Sequence, residues 1–212
     1  KKDIPREKVP KGKKLIRSMW VEKMKGDECR SRLVAMEFAA GLAKDGVFAA
    51  TPSATGVRVV VVISVAEELE LMVCDFTFAF MHAPTEEKMY VIPPKDYSPD
   101  ESIVWEVSQA LNGFRRSPKW FQDWLAEILT RKMEFGQCRT DPQVFVAKKR
   151  RVILDIHVDD PLGAGVRKNL DTTLKELKHY VLIKEGKILT NGMTVKHLAR
   201  LYTREDLSLI HI

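Results

Sequence analysis

The stretch that most constrains the fold of this chain is an apolar run that ends in two adjacent acids and a proline. Residues 154–161 read LDIHVDDP. The β-branched and apolar residues ahead of the acids predict a buried strand. On a regular strand Asp155, His157 and Asp159 share one face, while Asp160 lies on the other. Because Asp-Pro commonly opens a turn, this stretch alone indicates a strand that ends at solvent.

A second apolar strand carries an acid in a similar setting, since LELMVCDFTFAF contains the single acid Asp75. If the two strand ends lie side by side in one sheet, Asp75 and Asp159 come close enough to share a divalent metal. Mg²⁺ prefers oxygen ligands and usually takes one or two carboxylates plus substrate phosphates. Two such ions about 4 Å apart clamp the attacking and leaving oxygens of a phosphoryl transfer. The pattern permits such a site without favouring it over an ordinary turn.

The composition is that of a soluble globular protein with one sizeable domain or two small ones. The chain has 212 residues, of which 45% are hydrophobic and 30% charged. No apolar run approaches the roughly 18 residues of a membrane span, and the basic N-terminal sequence lacks the apolar core of a signal peptide. No membrane partner is therefore expected. The net charge of +6 weakly favours polyanionic partners.

The three cysteines are widely separated and odd in number. This spacing indicates neither a disulfide framework nor a zinc site. We therefore expect reduced thiols and an intracellular location, with a cytoplasmic particle and the nucleus both open.

The predicted elements mix strands and helices without strict alternation. They are a basic lead-in over residues 1–14, two strands around a hairpin turn at Gly26-Asp27, a helix followed by a strand within residues 57–78, a helix that Ser117 caps, a hairpin with a basic turn at residues 148–151, and an amphipathic helix from Asn169. This order predicts an α+β fold with an antiparallel sheet packed on helices.

Several longer motifs follow one another in a fixed order. They are WVEKMKGDECRSRLVA from Trp20, FAATPSATGVRVVVVISVAEELELMVCDFTFAFMHAP from Phe48, MYVIPP from Met89, VWEVSQALNGFRRSPKWF from Val104, DPQVF from Asp141 and HVDD from His157. Each motif is weak alone, but the ordered series resembles the reverse transcriptase domain of copia-type long-terminal-repeat retrotransposon polyproteins. The resemblance extends from about residue 20 to just past residue 165.

The resemblance implies an RNA-directed DNA polymerase with a palm-and-fingers architecture over residues 15–206 and little thumb. Its partners would be an RNA template, a DNA or RNA primer and a deoxynucleoside triphosphate. Asp75 and Asp159 would bind two Mg²⁺ ions, or Mn²⁺ in their place, and Asp160 would be a third, less directly coordinating acid. The primer 3′-hydroxyl would then attack the α-phosphate of the nucleotide.

The same resemblance implies roles for residues outside the acids. Phe80 would exclude a 2′-hydroxyl by steric clash, although core packing is the ordinary reading of such a ring. Arg30 or Arg32 would contact the triphosphate, because a guanidinium fork matches phosphate oxygens; a solvated basic strand is the alternative. The residues expected beside the nucleotide or the template and primer are Asn112, Gly113, Arg115, Arg116 and His157, with ordinary surface charge as the alternative for the two arginines.

The sequence departs from the family pattern at three positions near these motifs. His157 and Asn112 stand where the family has tyrosine, and Pro161 removes a backbone donor just after the acid pair. The tail at residues 207–212 resembles a translated sequencing adapter and is interpreted as non-native. The integrase, protease and RNase H of such polyproteins are not expected in this chain.

Three hypotheses follow. The first is an active RNA-directed DNA polymerase. The second is a catalytically inactive retroelement remnant with weak nucleic-acid binding, which Pro161 and His157 favour. The third is a two-metal phosphohydrolase without a template, which would make Phe80 and the other motif matches coincidental.

Overall fold

The structure, a computed structural model, describes residues 1–37, 49, 53–205 and 208–211. The chain divides into two compact units, the first formed by Lys1–Ala49 with Phe80–Trp124 and the second by Ala50–Ala79 with Leu125–Ile212. Two interpretations made from sequence lie partly outside the described residues: the start of the motif from Phe48, and Leu207 and Ile212 of the tail.

Strands account for most of the regular structure. The strands are β1 (Lys2–Pro5), β2 (Leu15–Lys25), β3 (Glu28–Ala35), β4 (Glu70–Phe76), β5 (Pro84–Ile92), β6 (Ile103–Gln109), β7 (Gly136–Gln137), β8 (Val144–Ala147), β9 (Val152–His157), β10 (Asp160–Gly165), β11 (Ile183–Ile188), β12 (Thr194–His197), β13 (Arg200–Glu205) and β14 (Ser208–His211). The α-helices are α1 (Ala54–Ala66), α2 (Ala79–His82), α3 (Ser117–Glu127) and α4 (Arg167–Leu177). Among the described residues, no helix combines the length and apolar character that a bilayer crossing requires.

Unit 1 contains a five-stranded sheet in the order β1-β6-β5-β2-β3. The predicted hairpin forms between β2 and β3, and its turn uses Gly26 at φ +62°, where glycine has no Cβ penalty. The sheet differs from the expected antiparallel one because β2 and β5 are parallel. The lead-in also differs from a simple tail, since β1 pairs antiparallel with β6 and places Lys2 opposite Glu106.

Unit 2 is built on an antiparallel sheet in the order β11-β4-β10-β9-β8-β7, beside a smaller sheet β12-β13-β14. Alternate residues of β10 face opposite sides. Leu162 and Ala164 join a core cluster with Val57 of α1, whereas a Cβ at Gly165 would lie 3.2 Å from Leu170 of α4. The two helices therefore cover opposite faces of the sheet.

Helix α1 forms from a valine-rich run whose local propensity favours strand. Ser53 caps it, accepting a hydrogen bond from the Gly56 N–H at 2.9 Å. Its Val57 and Val60 are buried in the core of unit 2. Capping and burial thus outweigh the strand propensity of the valines, and the predicted helix followed by a strand is confirmed.

The start of α3 differs from the expected cap. The Ser117 hydroxyl is buried and donates to the Leu111 carbonyl at 2.6 Å, so it ties the preceding loop to the start of the helix. The hairpin with its turn at residues 148–151 and the amphipathic helix α4 form as predicted.

Candidate active site

The acid pair lies at the tip of the hairpin formed by β9 and β10. His157 and Asp160 are cross-strand partners, so Val158 and Asp159 form a two-residue turn. Val158 has φ 52°, which is a strained conformation for a β-branched residue. Such strain costs about 1–3 kcal/mol and concentrates at functional sites. The packed sheet holds this tip in a conformation that the local sequence disfavours.

The tight turn changes which face Asp160 occupies. On one continuous strand Asp160 would lie opposite to His157, as the sequence alone predicts, but the chain reverses between them. As a cross-strand partner, Asp160 shares a face with His157. Asp159 lies in the turn itself. The expected placement of Asp160 on the opposite face is therefore wrong.

Strand β4 brings Asp75 to the same edge of the sheet. It pairs antiparallel with β10, with Leu162 opposite Val73, and this register continues to place Asp160 opposite Asp75. The Phe76 N–H donates to the Asp159 carbonyl at 2.8 Å. The two strand ends thus meet, and Asp75, Asp159 and Asp160 lie together in unit 2.

Negative charge accumulates at this edge. Asp75 and Asp159 are exposed and Asp160 is half-buried. Burial raises the pKa of Asp160, the charges of Asp159 and Asp75 raise it further, and His157 opposes the shift. Burial, followed by the charges of Asp75 and Asp160, also raises the pKa of the Cys74 thiol to about 12. A cation at this edge would relieve the repulsion among the three carboxylates.

The acids are adjacent without forming a complete metal cage. Within the described ranges, no group of three or more His, Cys, Asp or Glu side chains is arranged to hold a metal ion. Oxygen ligands from one or two carboxylates are nevertheless what Mg²⁺ usually takes from a protein, with substrate phosphates and water completing its shell. The donor set therefore suits a hard divalent cation that arrives with a phosphate-bearing substrate.

Pro161 occupies a central strand of this sheet. It is buried and pairs with Ile156 on β9. Because Phe76 donates to Asp159, the alternation of an antiparallel ladder makes position 161 the next donor to β4, at the Cys74 carbonyl. Proline removes that donor and leaves one gap in the ladder beside the acids.

Replacing Pro161 with isoleucine is expected to raise the free energy of unfolding by about 1 kcal/mol. Giving a buried carbonyl its partner gains about 1–3 kcal/mol, from which the lost stiffening of the unfolded chain subtracts about 0.4–1 kcal/mol. Urea denaturation measures the change. Pro142→Ile is the control because Pro142 is exposed and precedes β8; only the unfavourable term acts there. Equal effects in the two variants would contradict the ladder gap.

His157 has a neighbour that the sequence did not reveal. Burial, and then the charge of His157, lower the pKa of His197 on β12 to about 4. His197 is 5% exposed, and its ring centroid lies 6.4 Å from that of Tyr202. His157 is therefore close enough to this buried aromatic pair for its charge to act on His197.

The arginines of unit 1 occupy different environments. Arg30 lies opposite Lys23 and Arg32 opposite Val21, so both face the same side of the β2–β3 hairpin. Arg32 is exposed, and Arg30 makes a peripheral ion pair of 3.6 Å with Glu28. Like charges directly opposite each other destabilise a strand pair, and a bound anion would relieve this repulsion.

Arg115 and Arg116 differ in which of their groups make contacts. The Arg115 backbone N–H donates to Glu37 at 3.0 Å. The Arg116 guanidinium contacts both carboxylate oxygens of Glu86, at 2.8 and 2.7 Å, and lies 5.4 Å from the centre of the Trp120 ring. Arg116 is thus already paired, which weakens its expected role as a phosphate contact.

The remaining predicted residues of unit 1 also make internal contacts. Phe80 is half-buried, and its ring meets that of Phe121 edge to face with centroids 6.1 Å apart. The Asn112 carbonyl accepts from the Ala35 N–H at 2.7 Å, and Gly113 has φ +89°. The loop at residues 112–113 is therefore fixed to the end of β3.

Comparisons with known proteins show the family to which the chain belongs. The family model described as reverse transcriptase (RNA-dependent DNA polymerase) matches residues 6–198. The chain belongs to the reverse transcriptase family. This match covers every acid of the candidate site and most of both units.

This reverse transcriptase chain is 26% identical over 181 residues to the retrovirus-related Pol polyprotein from transposon TNT 1-94 of Nicotiana tabacum. The match covers 79% of the chain but 14% of that polyprotein, so the chain spans about a seventh of the relative's length. The resemblance to copia-type retrotransposon reverse transcriptases is thereby confirmed.

A solved structure shares the fold of the reverse transcriptase chain. It is apo telomerase from Candida tropicalis, truncated from its C-terminal domain, with a TM-score of 0.55 and 7% identity over 99% of this chain and 57% of that one. At this identity the similarity shows a common mixed α/β fold alone.

Proposed function

We propose that this chain is the RNA-directed DNA polymerase part of a copia-type Pol polyprotein, with unit 2 acting as the palm and the β2–β3 hairpin of unit 1 as part of the fingers. Its reaction would transfer a deoxynucleotide from its triphosphate to a primer 3′-hydroxyl on an RNA template. The observation that carries the proposal is the meeting of Asp75 with Asp159 and Asp160 at one sheet edge, within a chain of this family.

Asp75 and Asp159 would hold two Mg²⁺ ions, or Mn²⁺, in the proposed site. Both side chains are exposed. Asp160 is half-buried, and burial together with the charges of Asp159 and Asp75 raises its pKa. When bound, the ions would lower the barrier of an in-line phosphoryl transfer by stabilising charge on the attacking and leaving oxygens. The strained turn at Val158 would fix the position of Asp159, because the Asp159 carbonyl accepts a hydrogen bond from the Phe76 N–H of β4.

The residues of unit 1 would bind and select the nucleotide. Arg32, with Arg30 beside it, would contact the triphosphate through its guanidinium donors. Phe80 would exclude a ribose 2′-hydroxyl by steric clash, with Phe121 supporting its ring. The loop of Asn112 and Gly113 would lie beside the nucleotide and template.

The proposed contacts to the primer and template are His157, Arg115 and Arg116. His157, whose charge acts on His197, would support the primer end in place of a tyrosine hydroxyl. Arg115 offers its side chain to backbone phosphate, whereas Arg116 would first have to leave Glu86. The basic net charge favours a polyanionic partner in general terms.

A second candidate function is a catalytically inactive remnant that binds nucleic acid weakly. The observation that favours it is Pro161, which interrupts the ladder between the two acid-bearing strands. A misplacement of about 1 Å in a catalytic group can cost about 100-fold in rate. A small distortion of the sheet at Pro161 would therefore be enough to abolish most of the activity.

Primer extension separates the two candidates. The chain is incubated with an RNA template, an annealed DNA primer, deoxynucleotides and Mg²⁺, and the products are resolved by length. Template-directed extension supports the polymerase. Binding of the duplex that weakens with salt, without extension in either Mg²⁺ or Mn²⁺, supports the remnant. Hydrolysis of unprimed phosphate substrates would contradict both.

A further inference from the structure

Asp155 is a buried acid that the proposed reaction does not use. It lies on β9 opposite Leu162 of β10 and Val144 of β8, and it is 1% exposed. Within the described part of the chain, neither of its carboxylate oxygens has a hydrogen-bond partner. A carboxylate left in this state is costly, because burial of an unpaired charge is strongly unfavourable.

A second acid approaches Asp155 at the start of α1. A Cβ on Gly56 would lie 2.6 Å from Oδ2 of Asp155 and 3.0 Å from Oδ2 of Asp141. Both carboxyl groups therefore converge on the same small residue of the helix. Position 56 must stay free of a side chain for the helix to pack this closely.

The two acids differ in their donors. Asp141 accepts from the Ser53 hydroxyl at 2.7 Å and from the Gln143 N–H at 3.1 Å. Asp141 is therefore a hydrogen-bonded carboxyl group. Asp155 has no such donor among the described residues, so the pair is asymmetric.

Strand β9 packs against α1, β8 and β10. The titratable groups on these elements are Arg58 of α1 and Asp160 of β10, and β9 itself also carries His157. Burial is the largest cause of the raised pKa of Asp155, and the charge of Asp141 is the second.

We propose that Asp155 and Asp141 form a proton-binding site in unit 2, in which Asp155 folds as the neutral acid beside the hydrogen-bonded Asp141. The proton comes from solvent and is released to it. Its loss places two negative charges against Gly56 and loosens the packing of α1 on β9. The stability of unit 2 is therefore coupled to pH near neutrality.

The direction in which stability changes with pH follows from the raised pKa of Asp155. Burial, with the charge of Asp141, raises the pKa of Asp155 to about 7 from an ordinary value of 3.8. Between these values the folded chain retains a proton that the unfolded chain has lost. Stability thus falls as pH rises from about 4 to about 7 and remains low above that range.

Thermal unfolding of the whole chain at pH 5.5 and pH 8.5 tests the site. Between these values the melting temperature of the unmodified chain is expected to fall by about 5 °C more than that of Asp155→Asn. Asp141→Asn should reduce the fall, since it removes the neighbouring charge. Asp155→Leu provides a second variant without a titratable group and should match Asp155→Asn in its pH response. Parallel profiles for the unmodified chain and both Asp155 variants would overturn the proposal.

A cation is the competing ligand for two carboxylates. Millimolar Mg²⁺ or Ca²⁺ at pH 8.5 is expected to change the melting temperature of the unmodified chain and of Asp155→Asn by the same amount. A rise confined to the unmodified chain would show that the pair binds a cation in place of a proton, which would also overturn the proposal.

Discussion

Asp75→Asn is expected to lower primer extension by about 10³-fold or more while leaving the chain folded. Asp75 is exposed at the end of β4, so the amide is tolerated without burial of an unsatisfied group. The substitution removes one of the two proposed metal-binding charges. Loss of several kcal/mol of transition-state stabilisation at about 1.4 kcal/mol per tenfold gives this magnitude. Single-turnover extension on a primed RNA template measures it.

Asp171→Asn is the matched control. Asp171 is exposed on α4 and pairs with Arg167 at 3.4 Å, so the same change in charge occurs in unit 2 away from the acid cluster. Extension by this variant should remain within about twofold of the unmodified chain, as expected of an exposed ion pair worth at most about 1 kcal/mol. Equal losses in both variants would mean that Asp75 acts only through net charge.

Gly113→Ala is expected to destabilise unit 1 by more than about 3 kcal/mol. A Cβ at this position would lie 1.9 Å from the Ala35 carbonyl oxygen and 2.8 Å from Cγ1 of Val34. The nearest atom is backbone, so the loop or the end of β3 must shift, and the Asn112–Ala35 hydrogen bond is lost with it. The left-handed φ of +89° adds about 1–2 kcal/mol. Chemical denaturation measures the loss.

Gly12→Ala separates the clash from the backbone conformation. Gly12 has φ +84°, but a Cβ there would meet nothing within 4 Å. Its substitution should therefore cost about 1–2 kcal/mol from the left-handed conformation alone. If the two alanine variants lose similar stability, the contact between residues 113 and 35 is not the cause.

Local sequence patterns were sufficient where neighbouring residues determine the element. The β9 strand, its basic turn and α4 followed from apolar spacing and turn chemistry, and the helix followed by the Asp75 strand followed in the same way. The acid pair was found because two charges end an apolar run. These features depend on contacts within a few residues.

The features that sequence patterns missed depend on contacts between distant residues. Asp160 shares a face with His157 because the chain reverses at Val158. Strand β1 depends on pairing with β6, which is distant in sequence. Asp155 and Asp141 converge on Gly56 only when α1 packs against β9. The spacing of residues along the chain carries no information about such pairings.

Titration of Mn²⁺ into the chain, with bound ions counted by electron paramagnetic resonance, most directly tests whether the three acids bind metal together. Mn²⁺ binding should weaken at least about tenfold in each of the single variants Asp75→Asn and Asp159→Asn, because each substitution removes a carboxylate ligand. Mn²⁺ binding should persist in Asp171→Asn. Unchanged Mn²⁺ affinity in the first two variants would contradict a shared metal site at this sheet edge.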